Sequence, residues 1–181
     1  QDIVILPVAY KTSDQVKKRF QNILNAYLNV SSAMLSEADV ESAIDEMINE
    51  VQKINPSEFS DKASSAWKQH QELFLKNLSE MRYISGIDNK RSYLGHLSEV
   101  IYCTLKSFEF NSVKVFVNYC ADVFDNKGAY WISTSEKIEN PYGNAYKECG
   151  KHKEIINVGE VPKVQKPEPH KENKMPAVHR H

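Results

Sequence analysis

Sulfur and imidazole are the side chains here with chemistry to offer. Met175, His179 and His181, with His170 nearby, place one thioether and two imidazoles within a seven-residue span. Such a segment can wrap a copper or zinc ion without preorganised geometry. A short His-rich tract is only a compositional signal, so the same residues also read as a solvated tail. The second concentration is residues 119–150, which hold Cys120, Cys149, Trp131 and three of the six glycines. Thiolates there could ligate a soft metal ion. In an oxidising compartment, three cysteines make one disulfide and one leftover thiol. Tyr119, Tyr130, Trp131 and Tyr142 of the same stretch carry polar tips on apolar bodies. They could form a recognition surface, or bind the stretch onto the rest of the chain.

Other reactive residues read more simply. His70 stands three after Trp67 and four before Phe74, on an apolar stripe where a hydrogen-bonded core histidine fits. His96 and Cys103 are seven apart on the fourth helical segment, where two turns align them; packing is the plainer account. No nucleophile elbow, phosphate-cradling glycine loop or HExxH is present, so the chain reads as not an enzyme. Glu41, Asp45, Glu46 and Glu50 read as a solvated helix face, since no histidine accompanies them.

Composition narrows the class. The chain has 181 residues, 41% hydrophobic and 26% charged, enough for one packed domain plus extensions. A formal net charge of −1 gives no electrostatic footprint for nucleic acid. No apolar run approaches the roughly 18 residues of a membrane span. The chain begins at Gln1 rather than Met, so a cleaved secretory signal is expected.

The elements that must position these residues follow from periodicity. Residues 1–12 form a lead-in, an apolar run broken by Pro7. Thr12 with Gln15 forms a capping box, after which Val16, Phe20, Ile23, Leu24, Tyr27 and Leu28 recur at helical spacing. Ser36 with Asp39 signals a second helix, carried by Val40, Ile44, Met47, Ile48 and Val51 and ended at Asn55-Pro56. A third helix fits residues 60–84 and a fourth 89–108, with Leu94, Leu97, Ile101 and Leu105 on one stripe. Four helices with short connections predict a mainly α fold, an antiparallel four-helix bundle. The period then changes to two at Val113, Val115, Val117 and Tyr119. Asp125-Asn126-Lys127-Gly128 is a turn signal, and residues 129–134 return as the second strand of a C-terminal β-hairpin. Bundle, hairpin and following loop occupy residues 13–150. Residues 151–181 hold four of the seven prolines and four of the six histidines and read as an extended tail, its first half pinned by Ile155, Ile156, Val158, Val161 and Val164.

Across Val115-Phe116-Val117-Asn118-Tyr119-Cys120, Lys127-Gly128-Ala129-Tyr130-Trp131, Asn140-Pro141-Tyr142 and Cys149-Gly150, the chain resembles an uncharacterised periplasmic helical domain family of Bacteroidetes-type bacteria. Trp67, Arg91, Leu97-Ser98 and Lys106-Ser107-Phe108 resemble family positions as well, so the likeness spans about residues 13–150. This domain of unknown function occurs alone or fused to membrane-fusion subunits of heavy-metal efflux pumps. The family carries Pro-Met after the first cysteine and a Met three residues before the second; here Ala121-Asp122 and Tyr146 stand there. Both thioethers of a four-sulfur site are therefore missing.

The resemblance implies a periplasmic or secreted accessory domain that binds a copper- or silver-type ion, or delivers it to an efflux partner. Its candidate ligands for Cu(I) or another soft metal ion are Cys120, Cys149, Met175, His179 and His181. The alternative is a non-catalytic interaction module for a membrane-fusion or other cell-envelope protein, with Cys120 and Cys149 joined in a structural disulfide.

Overall fold

The computed structural model describes residues 5, 6 and 8–159. Four long helices follow one another: α1 (Asp14–Ser36), α2 (Val40–Gln52), α3 (Asp61–Tyr83) and α4 (Ile87–Phe108). Each packs on the next, and α1 also touches α4, so the four enclose one core. The stripes read from the sequence are the faces buried there. Phe20, Ile23, Leu24 and Tyr27 of α1 meet Ile44, Met47 and Val51 of α2, Trp67, Phe74 and Leu78 of α3, and Leu94, Leu97 and Ile101 of α4. At one end Phe20 stacks on Phe108 and Phe110, with ring centroids 4.7 and 5.2 Å away, and meets Trp67 edge-on at 5.1 Å. Burying each such side chain contributes roughly 1.5–3 kcal/mol. That is why propensity alone need not hold these helices.

The helix starts differ from expectation in detail. The α1 cap is Ser13, not Thr12: the Ser13 backbone is extended, and its Oγ accepts from Val16 N at 3.3 Å. Thr12 Oγ1 is buried with no partner. The α2 cap is Asp39 in the left-handed region, φ 56°, with no side-chain capping bond. Pro56 does not end α2, which stops at Gln52. It opens a short 3-10 turn, Pro56–Glu58, where Asn55 and Glu58 form a capping box.

Helix ends are held by their neighbours. The last four carbonyls of a helix lack internal partners. Trp67 Nε1 and Gln71 Nε2 of α3 donate to Ile54 O just past α2, at 2.9 and 2.8 Å, and Gln71 also reaches Val51 O. Lys90 of α4, 7% exposed, donates from Nζ to Met81 O, Arg82 O and Ile84 O at the end of α3. Arg91 donates to Met34 O at the end of α1. Tyr10 N–H of the N-terminal arm donates to Ser107 O at the end of α4, and Leu6 N–H to Ser107 Oγ.

Three strands follow: β1 (Val115–Cys120), β2 (Ala129–Ser133) and β3 (Lys151–Ile156), antiparallel in the order β2-β1-β3. The expected hairpin is therefore two strands of a three-stranded sheet, and residues 151–156 belong to the fold rather than to a tail. The third strand was not legible because Lys-His-Lys-Glu-Ile-Ile has no apolar alternation. It is an exposed edge strand, recruited by the second hydrogen-bonding edge of β1. Its register shifts at Val117/Asn118. The other outer edge, that of β2, is closed by two tyrosine hydroxyls. Ile132 N–H donates to Tyr27 Oη at 3.0 Å, and Tyr142 OH donates to Tyr130 O.

Tyr27 ties sheet to helices through a directional chain. Its hydroxyl accepts from Ile132 and donates to Ser98 Oγ at 2.7 Å, and Ser98 donates in turn to Leu94 O at 2.7 Å. Burial pushes the Tyr27 hydroxyl up to about 12, against the lowering effect of the Ser98 and Ile132 hydrogen bonds. The native state thus favours the neutral phenol. Its contribution is complete below the ordinary tyrosine range near 10 and is lost as pH rises from there through about 12. Tyr27→Phe leaves Ile132 N–H unpaired and should cost about 1–3 kcal/mol at neutral pH. The gap to wild type should close between pH 10 and 12. Urea midpoints across that range check it, and a gap that does not change with pH would sink the idea.

Candidate functional site

Cys120, 1% exposed at the end of β1, and half-buried Cys149 are bonded to each other, with Cα atoms 5.5 Å apart. The bridge anchors the far end of the loop that leaves β2 and returns to β3. Asn140 organises the loop interior: its Nδ2 donates to Cys149 O at 2.9 Å, its Oδ1 accepts from Tyr142 N at 2.8 Å, and its own N–H donates to Lys147 O. Arg91 Nε donates to Pro141 O at 2.9 Å, clamping the loop's middle to α4. Its near end is held through His152. That ring's Nδ1 lies 2.6 Å from Asn118 Oδ1, and its Nε2 lies 2.9 Å from Glu136 O. Composition alone places His152 in the tail; only the third strand brings it under the loop. Gly150, at φ +155°, lets the chain pass over Trp131, whose ring carbon an added Cβ would approach to 2.6 Å.

Asp122 completes the group. Its Oδ2 lies 3.7 Å from Cys149 Sγ, and one carboxylate oxygen and the two sulfurs all lie within 4.8 Å of one another. Asp122 is exposed, caps nothing with its side chain and forms no ion pair among the described residues. The turn that follows is unusual. Phe124, Asp125 and Asn126 all have positive φ, 54°, 53° and 63°, and Gly128 N–H closes it on Val123 O at 2.9 Å. The expected positive φ at Gly128 is present at 81°. An added Cβ there would lie 2.1 Å from Tyr119 Oη.

The four aromatic residues that could form a recognition surface, or bind their stretch onto the rest of the chain, divide. Trp131 and Tyr142 are 1% and 4% exposed, so they belong to the core, and burial holds the Tyr142 hydroxyl well above its ordinary range. Trp131 faces the loop side of the sheet, and Tyr142 is drawn in by its hydroxyl's bond to the β2 edge. Tyr119 is half-buried beside Tyr130, with centroids 4.6 Å apart, and Tyr130 is 49% exposed. Tyr130 rims a groove of about 690 Å³ between α4 and the sheet, whose walls include Gly95, Tyr102, Cys103, Val117 and Ile132. Burial, with Glu99 adding to it, pushes the free Cys103 thiol up to about 11. At the groove's far side Glu154 of β3 accepts from Tyr102 OH at 2.8 Å and from Lys106. Burial raises the Glu154 carboxyl, but these two donors outweigh it and hold the group below its usual range.

The remaining sequence candidates separate as well. His70 is fully buried with Nδ1 3.0 Å from Thr104 Oγ1, while Thr104 donates to Val100 O. His96 is exposed and Cys103 is not. Glu41 and Asp45 meet Arg82 on the surface. Met175, His179 and His181, with His170, lie outside the described residues. No described helix is long and apolar enough to cross a membrane.

No curated protein and no solved structure matches the chain. A family match covers the helices, from within α1 to just past α4, and stops before β1 and the bridge. Residues 23–112 therefore carry a domain of unknown function, matching the family described as "Protein of unknown function (DUF3347)".

Proposed function

We propose that this protein is a non-catalytic module of the periplasm or extracellular space, an antiparallel four-helix bundle that works by binding another cell-envelope protein. The Cys120–Cys149 bridge carries the reading, because such bonds persist in oxidising compartments and are rare where thiols are kept reduced. Residue types that serve catalysis elsewhere are used structurally here: Thr104 spends its proton on Val100 O and sits in the core with His70. The binding face assigned is the groove between α4 and the sheet, rimmed by Tyr130. Thiol counting in acid-quenched cells of the native host tests the compartment. One cysteine, Cys103, should alkylate in denaturant before reduction, and two more only after it. Three reactive thiols without reduction would remove the reading.

A second reading is an accessory domain that binds a copper- or silver-type ion or delivers it to an efflux system. The meeting of Cys120 and Cys149 favours it, because reduction would leave two soft sulfur ligands side by side. Met175, His179 and His181 remain candidate ligands in this reading. Anaerobic competition titration of the full chain with Cu(I), in both redox states, tests it. Absence of binding in both states would end it.

A further inference from the structure

We infer that reduction of the Cys120–Cys149 bridge creates a zinc-class metal site in which Asp122 is the third ligand. The inference rests on the second, metal-handling reading and changes its metal. Among the described residues, this is the one place where three such side chains bring ligand atoms within 4.8 Å. Asp122 has no other partner there, so its carboxylate is free to ligate.

The distances fit. With Zn–S near 2.3 Å and Zn–O near 2.1 Å, a tetrahedral centre has sulfur–oxygen edges of about 3.6 Å and a sulfur–sulfur edge of about 3.8 Å. The Asp122 Oδ2 to Cys149 Sγ separation is already 3.7 Å. The two sulfurs must part, and the Asp122 to Cys120 edge, within 4.8 Å, must settle at about 3.6 Å. Cys120 is fixed in β1 and buried, whereas Cys149 ends a loop and is half-buried, so Cys149 is the sulfur that moves.

The chemistry needs a dithiol reductant. One of its thiolates attacks Cys149 Sγ, the less buried sulfur; the bridge breaks and Cys120 leaves as thiolate. The reductant's second sulfur then displaces Cys149 from the mixed disulfide. The reductant ends as its own disulfide, two electrons pass to the protein, and its two protons pass to the cysteines. Binding of Zn2+ by both thiolates releases those protons to water. Three protein ligands leave a fourth position for water.

The ligand set selects the metal. Two thiolates alone suit Cu(I), but a carboxylate oxygen is a hard ligand that contributes to Zn2+ and little to Cu(I).

The test titrates the full 181-residue chain with Zn2+, and with Co2+ as a spectroscopic probe, oxidised and reduced. Residues 160–181 are present in both states, so the difference between them isolates this site. One additional Zn2+ is expected in the reduced chain, with a thiolate-to-cobalt charge-transfer band. Asp122→Asn, which keeps both cysteines, should weaken Zn2+ at least about tenfold, since even groups that only support a ligand cost 10–100-fold. Its Cu(I) affinity should stay in place. Equal Zn2+ uptake in both redox states, or an Asp122→Asn affinity equal to wild type, overturns the inference. So does a reduced chain that loses helical signal and does not regain it with Zn2+. Cu(I) bound by the reduced chain with no additional Zn2+ taken up would overturn this inference alone and leave the broader metal-handling reading standing.

Discussion

Arg91→Ala is expected to lower stability by about 3–5 kcal/mol, the range seen when a buried charge network loses one partner. Arg91 is 4% exposed and joins three parts of the chain: Met34 O at the end of α1, Asp88 in its own first turn, and Pro141 O in the loop. Its ion pairs are the lesser share. Glu37 and Asp88 side chains are 49% and 91% exposed, and surface pairs contribute about 1 kcal/mol or less. The two main-chain carbonyls matter more, because truncation leaves both without this donor, at about 1–3 kcal/mol each. Arg91→Lys keeps the charge but cannot reach in several directions at once, so it should recover only part of the loss. Urea unfolding measures the cost, and limited proteolysis within residues 140–149 reports the loop. A change below about 1 kcal/mol with an uncut loop would show that the remaining bonds hold it alone.

Removing the bridge is the second large effect. Its cysteines are 29 residues apart, and a loop of that length corresponds to about 3–4 kcal/mol in the chain-entropy account. Replacing both by serine should therefore lower stability by about 3 kcal/mol while leaving the helical signal intact. The helices still pack on one another through their own stripes, and Asn140 and Arg91 still clip the loop. Because Arg91 and the bridge restrain one loop, the triple variant should fall short of the summed losses. Full additivity would mean that the two act on separate units. Collapse of helical structure on loss of the bridge would mean that the loop supports the helices rather than resting on them.

The helices were legible because each buries one face, and burial of a single face writes a 3.6-residue period into the chain. The stripes through Phe20, Trp67 and Leu94 are visible without coordinates for that reason. β1 and β2 were legible because Val115, Val117 and Tyr119 recur at period two and Gly128 punctuates the turn, although both faces of β1 are covered. What escaped was whatever depends on partners distant in sequence. Charge alone would place Lys90 and Arg91 in water, yet both are buried, since each supplies donors to the end of another helix. β3 carries no pattern because an edge strand needs only the free edge of β1.

The candidate site divides along the same line. Residue types alone marked Cys120, Cys149 and the aromatic cluster, because thiols and aromatic rings are scarce and chemically distinct. Which rings are core and which surface was decided by the sheet's two covered sides, which bury Trp131 and Tyr142 and leave Tyr130 half exposed. Bonding of the two sulfurs and the approach of Asp122 to them were decided by the loop's return path, held by Asn140, Arg91 and His152. Local sequence determines periodicity and backbone preference. The meeting of residues 29 apart depends on the free energy of the whole packed chain, and no short window of sequence contains it.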